Sequence, residues 1–279
     1  MSAGTLYVVA TPLGNLGDLT DRARQTLCEV PLVAAEDTRR ARILLEHVGA
    51  RPRVVSLHAH SSDRRLDTLT QSLEGGQDVA LLSDAGTPTV SDPGASLVRR
   101  AQEAGVHVVS VPGPSAVTAA LSISGIVADR YTFLGFLPRK GADRKRLLTT
   151  VAGSPWTTVL FEAPSRVVRL LEDLAKVCGA ERRAAVAREL TKVHEELRSG
   201  NLDTLAGYYR VHPPRGEVTL VVAGTSRGAE AERHVDLDAV RDRARALLGQ
   251  GLTRRDVAAQ LVEEFPLSRR ETYRIATET

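Results

Sequence analysis

The sequence predicts an α/β protein with a parallel, doubly wound N-terminal sheet, a second domain with a mixed sheet, and a small helical C-terminal appendage. Three observations predict this fold. Residues 4–127 contain five alternations of a short apolar strand with a helix, which is typical of parallel sheets covered on both faces. After residues 125–129 this regular pattern changes, and from Val235 onward the periodicity is helical. We therefore expect domains at residues 1–128, 129–230 and 231–279.

The composition indicates a folded protein with a substantial core. The chain has 279 residues, of which 42% are hydrophobic. No apolar run approaches the ~20 residues of a membrane span, and the N-terminal MSAGTLYVVATP lacks the basic and hydrophobic regions of a signal peptide. We therefore expect a cytoplasmic protein with no membrane partner. Cys28 and Cys178 lie in apolar helical contexts without a C-x-x-C motif, so we expect buried thiols and no bound metal.

The first predicted strand, Thr5–Ala10, is followed by a Gly-containing loop, Thr11–Asp18, and a helix that runs to about Val30. Thr20 or Asp21 is placed to cap this helix, because short polar side chains accept hydrogen bonds from first-turn N–H groups. The loop matches neither the dinucleotide fingerprint G-x-G-x-x-G nor the P-loop pattern G-x-x-x-x-G-K-[ST]. It is therefore not interpreted as either motif.

Charged residues end the second predicted strand, Leu32–Ala35, and open the next helix. Asp37 and Thr38 are good helix-entry residues, so capping is one interpretation of both. Glu36, Asp37 and Arg39 at the carboxyl end of a strand equally fit a site that binds a polar substrate or positions a base. We favour the functional interpretation.

The third predicted strand, Arg53–Leu57, ends in His58-Ala59-His60. Two histidines at this spacing could ligate a metal, but a third ligand is not evident, so no metal is expected. His58 as a substrate contact or general base is the sharper hypothesis.

The stretch Asp78–Ala116 contains two small-residue loops that are one strand apart. It predicts, in order, the strand Asp78–Ser83, the loop Asp84–Ser91, the helix Asp92–Gly105, the strand His107–Val111 and the loop Pro112–Ser115. Because the carboxyl ends of parallel strands meet at one edge of a sheet, both loops face the same crevice. Small residues let backbone groups approach a ligand closely. Either loop alone could be a simple turn, but the pair predicts a small-molecule site.

The second half of the chain alternates strands and helices less regularly. Its predicted strands are Tyr131–Leu137, Trp156–Glu162, Ala184–Leu190 and Gly216–Ala223, with helices ending near Ala152 and Cys178 and a short one over Leu202–Tyr209. Apolar alternation in the last strand indicates a mixed, partly antiparallel sheet.

Positive charge is concentrated at one place in this second half. The net charge is only +3, but residues 129–230 carry 17 basic and 12 acidic side chains, and five of the cations lie within Arg139–Arg146, the basic stretch. Cations at a helix N-terminus oppose the macrodipole, so helix stabilisation explains them poorly. We interpret the basic stretch as an exposed loop that contacts phosphates, with an ordinary solvated helix start as the alternative.

Three helices are predicted at the C-terminus, over Leu237–Leu248, Thr253–Phe265 and Ser268–Thr277. Thr253 and Ser268 are placed to cap the second and third of these helices, and the layout suggests a helix-turn-helix-like appendage. Residues 231–279 carry no net charge, which argues against strong independent binding to nucleic acid. We expect this appendage to serve packing or accessory recognition.

Taken together, the motifs resemble one known family. TPLGNLGD, AEDTR, SDAGTPTVSDPG, VPGPSA, FLGFLPRKG, LFEAPSR, ARELTKVHEE and GEVTLVVAG occur in the order found in the tetrapyrrole methylase superfamily. Specifically, the chain resembles the RNA-modifying branch of that superfamily, the ribosomal RNA small subunit methyltransferases, from about Thr5 to the C-terminus. The resemblance implies a two-domain tetrapyrrole-methylase-like fold and 2'-O-methylation of a cytidine ribose in the decoding region of small-subunit (16S) ribosomal RNA.

The resemblance also implies where the cofactor binds. S-adenosyl-L-methionine (SAM) would lie folded in the cleft between the two domains. The implied first-domain contacts are Pro12, Leu13, Asp84, Ala85, Gly86, Thr87, Ser115 and Ala116; those of the second domain are Phe161, Glu162, Leu190, Thr191, Glu217, Val218 and Thr219. A twofold homodimer is expected on the same ground.

For catalysis the resemblance implies in-line attack of the ribose oxygen on the sulfonium methyl group, with a base or a metal helping to deprotonate the hydroxyl. The candidate bases are Asp37, Glu36 and His58, in that order. Related sequences often read H-E-H-N where this chain has His58-Ala59-His60-Ser61, which weakens a carboxylate base at position 59. Candidate contacts to RNA phosphates are Arg39, Arg139, Lys140, Arg144, Lys145 and Arg146.

Two other functions fit parts of the sequence. A methyltransferase acting on a tetrapyrrole or corrin would share the superfamily, but the basic stretch and the helical appendage favour RNA. A non-catalytic nucleic-acid-binding protein would not need every cofactor loop to be intact. The expected partner is therefore small-subunit ribosomal RNA or the assembled small subunit; DNA is not expected, because the 2'-hydroxyl distinguishes the two nucleic acids.

Overall fold

The structure, a computed structural model, describes residues 2–58, 61–225, 237–265, 267 and 269–278. Its first half is a five-stranded parallel sheet in the order β3-β2-β4-β1-β5. The strands are β1 (Thr5–Val9), β2 (Leu32–Ala35), β3 (Arg53–Ser56), β4 (Val79–Leu82) and β5 (His107–Val111). The helices that connect or follow them are α1 (Asp21–Glu29), α2 (Thr38–Val48), α3 (Asp63–Glu74), α4 (Ala95–Glu103) and α5 (Ala116–Ser124).

Helices cover both faces of this sheet. On one face, α1 and α2 bury Leu27 and Leu44 against β-strand residues such as Val33. On the other face, α3 and α4 bury Leu69 and Leu97 against the opposite side chains of the same strands. Successive strand residues point to opposite faces, so four apolar residues in a row serve both cores. The predicted doubly wound sheet is confirmed.

One helix in this half begins later than predicted. The sequence places its start at Asp92, but α4 begins at Ala95. Gly94 has φ +120°, outside the helical region, and a Cβ there would lie 2.7 Å from the Leu81 side chain. The loop after β4 is therefore longer than predicted, and Asp92 belongs to it.

The second sheet is mixed and has the strand order β6-β7-β10-β8-β9. Its strands are β6 (Tyr131–Phe136), β7 (Thr157–Glu162), β8 (Arg183–Arg188), β9 (Glu196–Asn201) and β10 (Val218–Val222), of which only β6 and β7 pair in parallel. Helices α6 (Ala142–Gly153), α7 (Val167–Cys178) and α8 (Leu202–Val211) pack on one face, and a 3-10 turn, Pro164–Arg166, precedes α7. The partly antiparallel sheet is confirmed.

Strand β9 is absent from the sequence prediction. Its residues, ELRSGN, contain a single large apolar side chain, and Leu197 is itself exposed. β9 lies at the edge of the sheet, where polar residues are favoured because one side of the strand faces water. β9 therefore lacks the apolar periodicity that marks the other strands.

Helix α5 packs against the second sheet, although it belongs to the predicted first domain. Ala120 of α5 belongs to a small apolar cluster that includes Ala185 of β8 and Val221 of β10. Leu13 and Leu190 are also members of this cluster. The chain leaves the first sheet before α5 and enters the second at β6, so the predicted boundary at residue 128 lies within this interval. The division into three domains stays a prediction.

The C-terminal residues form three helices with their own core. These are α9 (Leu237–Gly249), α10 (Arg254–Glu264) and α11 (Arg269–Glu278). Val240, Leu261 and Ile275 are buried among these helices, and Thr253 caps α10 as its sequence position predicts. Ser268, the predicted cap of the last helix, lies outside the described residues.

The prediction of two buried thiols is wrong for Cys28, which is exposed. The buried residues of α1 are Ala23, Thr26 and Leu27, so position 28 falls on the outer side of the helix. Cys178 is partly buried, and burial raises the pKa of its thiol. Within the described ranges, no helix combines the length and apolar character required to cross a membrane.

Candidate functional site

A cavity of about 460 Å³ lies between the carboxyl edge of the first sheet and the second sheet. The loops after β4 and β5 form one wall, and the ends of β6, β7 and β10 form the other. Twelve of the fifteen predicted cofactor contacts line it: Leu13, Asp84, Ala85, Gly86, Thr87, Ser115, Ala116, Phe161, Glu162, Glu217, Val218 and Thr219. The crevice that the two small-residue loops predict is therefore present, and it faces the second sheet.

Pro12 lines a second cavity, of about 290 Å³, which adjoins the first. Both cavities share Leu13, Arg40, Asp84, Ala85 and Glu217. The loops after β1 and β4, which both contribute residues to the two cavities, are joined by backbone hydrogen bonds: Thr11 N–H donates to Gly86 O at 2.8 Å, and Gly86 N–H donates to Thr11 O at 3.0 Å. The loop after β1 is thus fixed against the loop after β4.

Leu190 and Thr191 line neither cavity. Leu190 is buried in the apolar cluster beneath α5. Thr191 has φ +66°, and its buried Oγ1 has no hydrogen-bond partner among the described residues. An unsatisfied buried hydroxyl costs free energy unless a ligand or water completes it. Their predicted role in binding the cofactor stays a prediction.

Carboxylates dominate the charge of the main cavity. Glu36, Asp84 and Asp92 all line it, with Arg40 as the cation among them. Burial, followed by the nearby charge of Asp84, raises the pKa of Glu36. Burial is also the largest cause that raises the pKa of Asp92 to about 6, and the charge of Glu36 adds to it. The cavity therefore has a negative potential that a cationic ligand would neutralise.

Asp92 is a cavity residue that is absent from the predicted site residues. The signal was available, because Asp92 follows the predicted loop Asp84–Ser91 directly and belongs to the SDAGTPTVSDPG motif. Its place as the supposed first residue of a helix concealed this. The late start of α4 leaves the Asp92 side chain in the cavity wall.

Asp84 is held from both sides. Its Oδ1 accepts a hydrogen bond from the backbone N–H of Asp37 at 3.0 Å, and its Oδ2 lies 3.7 Å from Arg40 Nη1. These contacts connect the end of β4 to the start of α2. Asp84 is therefore oriented in the cavity wall before any ligand binds.

Asp37 caps α2, the first of the two interpretations that the sequence leaves open. Its Oδ1 accepts from Arg39 N–H at 2.8 Å and from Arg39 Nε at 3.0 Å, and its Oδ2 accepts from Arg39 Nη2 at 2.6 Å. These bonds to Arg39 hold the pKa of the Asp37 carboxyl well below its usual range. The side chains of Asp37 and Arg39 thus pair with each other, while the adjacent Glu36 faces the cavity.

His58 is exposed at the end of β3 and lines neither cavity. Its charge lowers the pKa of Glu36, so the two side chains interact electrostatically across the loop ends. Ala59 and His60 lie outside the described residues. In the part of the chain that the structure describes, no three His, Cys, Asp or Glu side chains are arranged to hold a metal ion.

The second-sheet wall combines a buried ion pair with aromatic rings. Glu162 is 2% exposed, and its Oε1 lies 3.0 Å from Arg166 Nε. Phe161 packs against Phe133 with ring centroids 4.9 Å apart and against Phe136 at 5.6 Å. Phe136 lines the cavity although it is 55% exposed.

The structure corrects the prediction of five exposed cations in the basic stretch. Arg139, Lys140, Lys145 and Arg146 are exposed, but Arg144 is buried. Arg144 Nη2 donates to Asp173 Oδ2 of α7 at 2.8 Å, and Nη1 donates to Pro138 O at 3.1 Å. Its guanidinium fastens the start of α6 to α7, so Arg144 does not offer its charge to a phosphate.

The architecture defines the class of protein. The two sheets with a cleft between them match two solved structures, a cobalt precorrin-4 methyltransferase (TM-score 0.62, 18% identity, 78% of this chain and 94% of that chain) and the uroporphyrin-III C-methyltransferase of Thermus thermophilus (0.56, 22%, 79% and 94%). Such identities establish the fold alone. The family model for tetrapyrrole (corrin/porphyrin) methylases matches residues 5–206. The chain therefore belongs to the tetrapyrrole methylase family.

More similar relatives narrow this placement. A protein of Synechocystis sp. is 44% identical over 99% of this chain and 98% of the relative, and one of Escherichia coli O157:H7 is 40% identical over 99% and 96%. A Pseudomonas aeruginosa relative is 48% identical over 85% and 87%. All three carry the name ribosomal RNA small subunit methyltransferase I. Within the family the chain belongs with these proteins, and the resemblance that the motifs indicate is confirmed.

Proposed function

We propose that this protein methylates the ribose 2'-hydroxyl of a cytidine in small-subunit ribosomal RNA, with SAM as the methyl donor. The observation that carries the proposal is the near full-length identity to relatives named for methylation of small-subunit ribosomal RNA. The acid-lined cavity and the four exposed cations of the basic stretch support it, because the reaction needs a site for a cationic cofactor and a surface for RNA phosphates.

The residues present fit SAM. The sulfonium is a cation, and Glu36, Asp84 and Asp92 give the cavity the complementary charge. Ser115 makes no side-chain cap to α5, and Ser115 and Ala116 line the cavity, so the first-turn N–H groups of α5 suit a carboxylate. When bound, SAM would supply an electrophilic methyl group, and the product of the transfer would be neutral S-adenosylhomocysteine.

Within this proposal, Glu36 is the favoured proton acceptor for the 2'-hydroxyl. Its side chain lines the cavity, and its raised pKa brings it closer to the working pH of a general base. Asp37 would need to leave Arg39 and the cap of α2 before it could accept a proton. His58, which interacts with Glu36, stays a candidate for orienting that carboxylate or the substrate.

The RNA would approach along the exposed cations. Arg139, Lys140, Lys145 and Arg146 follow β6, whose last residue lines the cavity. Arg39 is exposed at the start of α2, next to the cavity residue Arg40. The protein would act on RNA and not on DNA, because DNA lacks the 2'-hydroxyl that receives the methyl group. The cytoplasmic location, the twofold homodimer and the choice between assembled subunit and free RNA stay predictions.

The tetrapyrrole alternative is less supported. The solved tetrapyrrole and corrin methyltransferases share the fold at 18–22% identity, whereas the relatives named for ribosomal RNA reach 38–48%. The cavity argues against a non-catalytic function, because twelve of the fifteen predicted cofactor contacts lie in its wall.

The test is transfer of labelled methyl from SAM to small ribosomal subunits purified from cells that lack this protein. We expect label on a single cytidine. Because the methyl group is on the ribose, the label should stay with the sugar when the nucleobase is removed. Saturable SAM binding without label on subunits or free ribosomal RNA would overturn the RNA assignment. Label on an added tetrapyrrole would favour the alternative.

The assignment of the base is tested by comparing Glu36→Gln with Asp37→Asn. We expect Glu36→Gln to lower kcat by roughly 10²–10⁴-fold, the usual contribution of a general base, with little change in stability. Asp37→Asn can still cap α2, so its kcat should change far less. The opposite ranking of the two variants would return Asp37 to first place.

A further inference from the structure

Phe136 is an exposed aromatic ring at the rim of the cavity. It is the last residue of β6, an edge strand, and it is 55% exposed while lining the cavity. Its ring lies 5.6 Å from that of Phe161, which in turn packs edge-on against Phe133. The ring therefore has a fixed support on one side and open space on the other. An aromatic ring supported in this way offers a flat apolar face on which a planar ligand can stack.

A bulge in β6 places this ring. Phe133 pairs with Val159 and Phe136 with Phe161, so three steps along β6 match two along β7. In an unbroken register Gly135 would lie opposite Phe161. The extra residue brings Phe136 level with Phe161 instead. Bulges recur beside active sites because they redirect one side chain without disturbing the rest of the sheet.

Gly135 makes the bulge possible and connects it to the first sheet. Its φ is +60°, a conformation that glycine adopts without strain. A Cβ at this position would lie 2.5 Å from Ser91 Oγ, in the loop that also carries Asp92. Ser91 itself has φ +63°. The loop after β4 and the backbone beneath Phe136 are thus in close contact, which fixes the distance between the acidic wall and the ring.

Exposed cations follow the ring directly. Arg139 and Lys140 are three and four residues beyond Phe136, within a chain reach of about 14 Å. Proteins that recognise unpaired nucleotides combine an aromatic face for the base with cations for the adjoining phosphates. Ring, cations and acidic cavity occur here in that arrangement.

We propose that Phe136 is the stacking platform for the base of the acceptor nucleotide, which is turned out of the RNA so that its ribose enters the cavity, with Arg139 and Lys140 on the flanking phosphates. The inference rests on the proposed function and specifies how that site holds its substrate. Turning out a single nucleotide would bring its ribose into the cleft and its base onto the ring, as in enzymes that extrude a nucleotide from the stack.

The experiment compares Phe136→Leu, Phe136→Tyr and Phe136→Trp with a matched control, Tyr131→Leu. Tyr131 is an exposed aromatic residue on the same strand, 43% exposed, and it does not line the cavity. Each variant is assayed for SAM affinity by calorimetry and for kcat and KM with unmodified small subunits. Replacing an aromatic side chain that stacks on one base weakens RNA binding roughly tenfold to a hundredfold.

We expect Phe136→Leu to raise KM for subunits by about that factor, with SAM affinity unchanged. Phe136→Tyr, Phe136→Trp and Tyr131→Leu should retain the parental KM, because the first two keep a stacking face and the third lies elsewhere. An unchanged KM for Phe136→Leu would overturn the inference, as would a matching loss of SAM affinity, which would assign the ring to the cofactor. If the parental protein methylates no ribosomal RNA, the proposed function itself falls.

Discussion

At the scale of one residue, the carboxyl of Asp92 destabilises the folded protein when it ionises. Its carboxyl lies in a partly buried wall with Glu36 and Asp84, where three negative charges repel one another. Burial and these neighbours raise its pKa to about 6, so folding favours the neutral acid. The strain is useful if the ligand is a cation, because a sulfonium would relieve the repulsion on binding.

The pH dependence follows from the sign of this shift. A raised pKa in the folded state contributes stability that is complete below pH ~4 and is lost as the pH rises through about 6. Asp92→Asn removes the ionisation and can keep the hydrogen bond with Ser83. We expect the cofactor-free variant to be more stable than the parent by about 1 kcal/mol at pH 8, after allowance for solvent screening, and equal to it near pH 4.

Urea denaturation at both pH values measures this difference. A stability gain of the same size at pH 4 and pH 8 would show that the ionisation of Asp92 is not its cause. The same variant should bind SAM less tightly at pH 8, since it removes one negative charge from the cavity.

At the scale of one element, the bulge of β6 combines two requirements in Gly135: a positive φ and the absence of a side chain beside Ser91. Gly125 provides a matched control. Its φ is +66°, and a Cβ there would have no heavy atom within 4 Å. The two glycines therefore separate the cost of conformation from the cost of contact.

We expect Gly125→Ala to destabilise the protein by about 1–2 kcal/mol, the cost of the left-handed conformation for a residue with a Cβ. Gly135→Ala should cost more than this, because its Cβ also meets Ser91 Oγ. Adding Ser91→Ala should recover the excess, as thermal or urea unfolding of the double variant would show. Equal losses for the two glycine variants would indicate that the loop after β4 moves away freely.

At the start of α6, two neighbouring cations have different roles. Arg144 is buried against Asp173 and Pro138 O, whereas the adjacent Lys145 is exposed. We expect Arg144→Ala to lower the free energy of unfolding by about 2–4 kcal/mol, because it leaves Asp173 partly buried without its closest cation.

Lys145→Ala should leave stability within about 0.5 kcal/mol of the parent and weaken RNA binding instead. Its signature would be a decrease of about one in the slope of log affinity against log salt concentration. Filter binding across a range of salt, beside urea unfolding, distinguishes the two variants. Comparable stability losses for both would contradict the separation of roles.

At the scale of the whole molecule, the cavity is the place where loops of the first sheet face strands of the second sheet. Its wall takes Asp84 and Ser115 from the first sheet's loops and Phe161 and Thr219 from the second sheet. SAM at a hundred times its Kd should therefore stabilise the protein by about 2.7 kcal/mol. Both sheets should gain this protection together.

Amide hydrogen exchange provides the measurement and an internal control. Amides of β4, β5, β7 and β10 should exchange more slowly with SAM, while those of α9–α11 should not change, because these helices have a separate apolar core. Slower exchange in only one sheet would contradict a cofactor site shared between them.

Much of this fold follows from local patterns. Residue order predicts the short apolar strands of the first sheet, a helix cap at Thr20 or Asp21, and the presence of loops after β4 and β5, because burial and helix capping act over a few residues. The motif order also gives the family. β9 cannot be predicted in this way, because an exposed edge strand needs no apolar residues.

Only the tertiary structure decides how neighbouring residues of the same type divide their tasks. Glu36 faces the cavity while Asp37 caps a helix, and Arg144 is buried while Lys145 is exposed. Asp92 lies in the cavity wall because α4 begins only after Gly94. Phe136 reaches the cavity rim because the bulge of β6 at Gly135, which packs against Ser91, shifts it by one residue. The sequence determines which chemistry is available near each strand end. The direction of each side chain depends on contacts between residues far apart in the chain, and these contacts form only when the two sheets pack together.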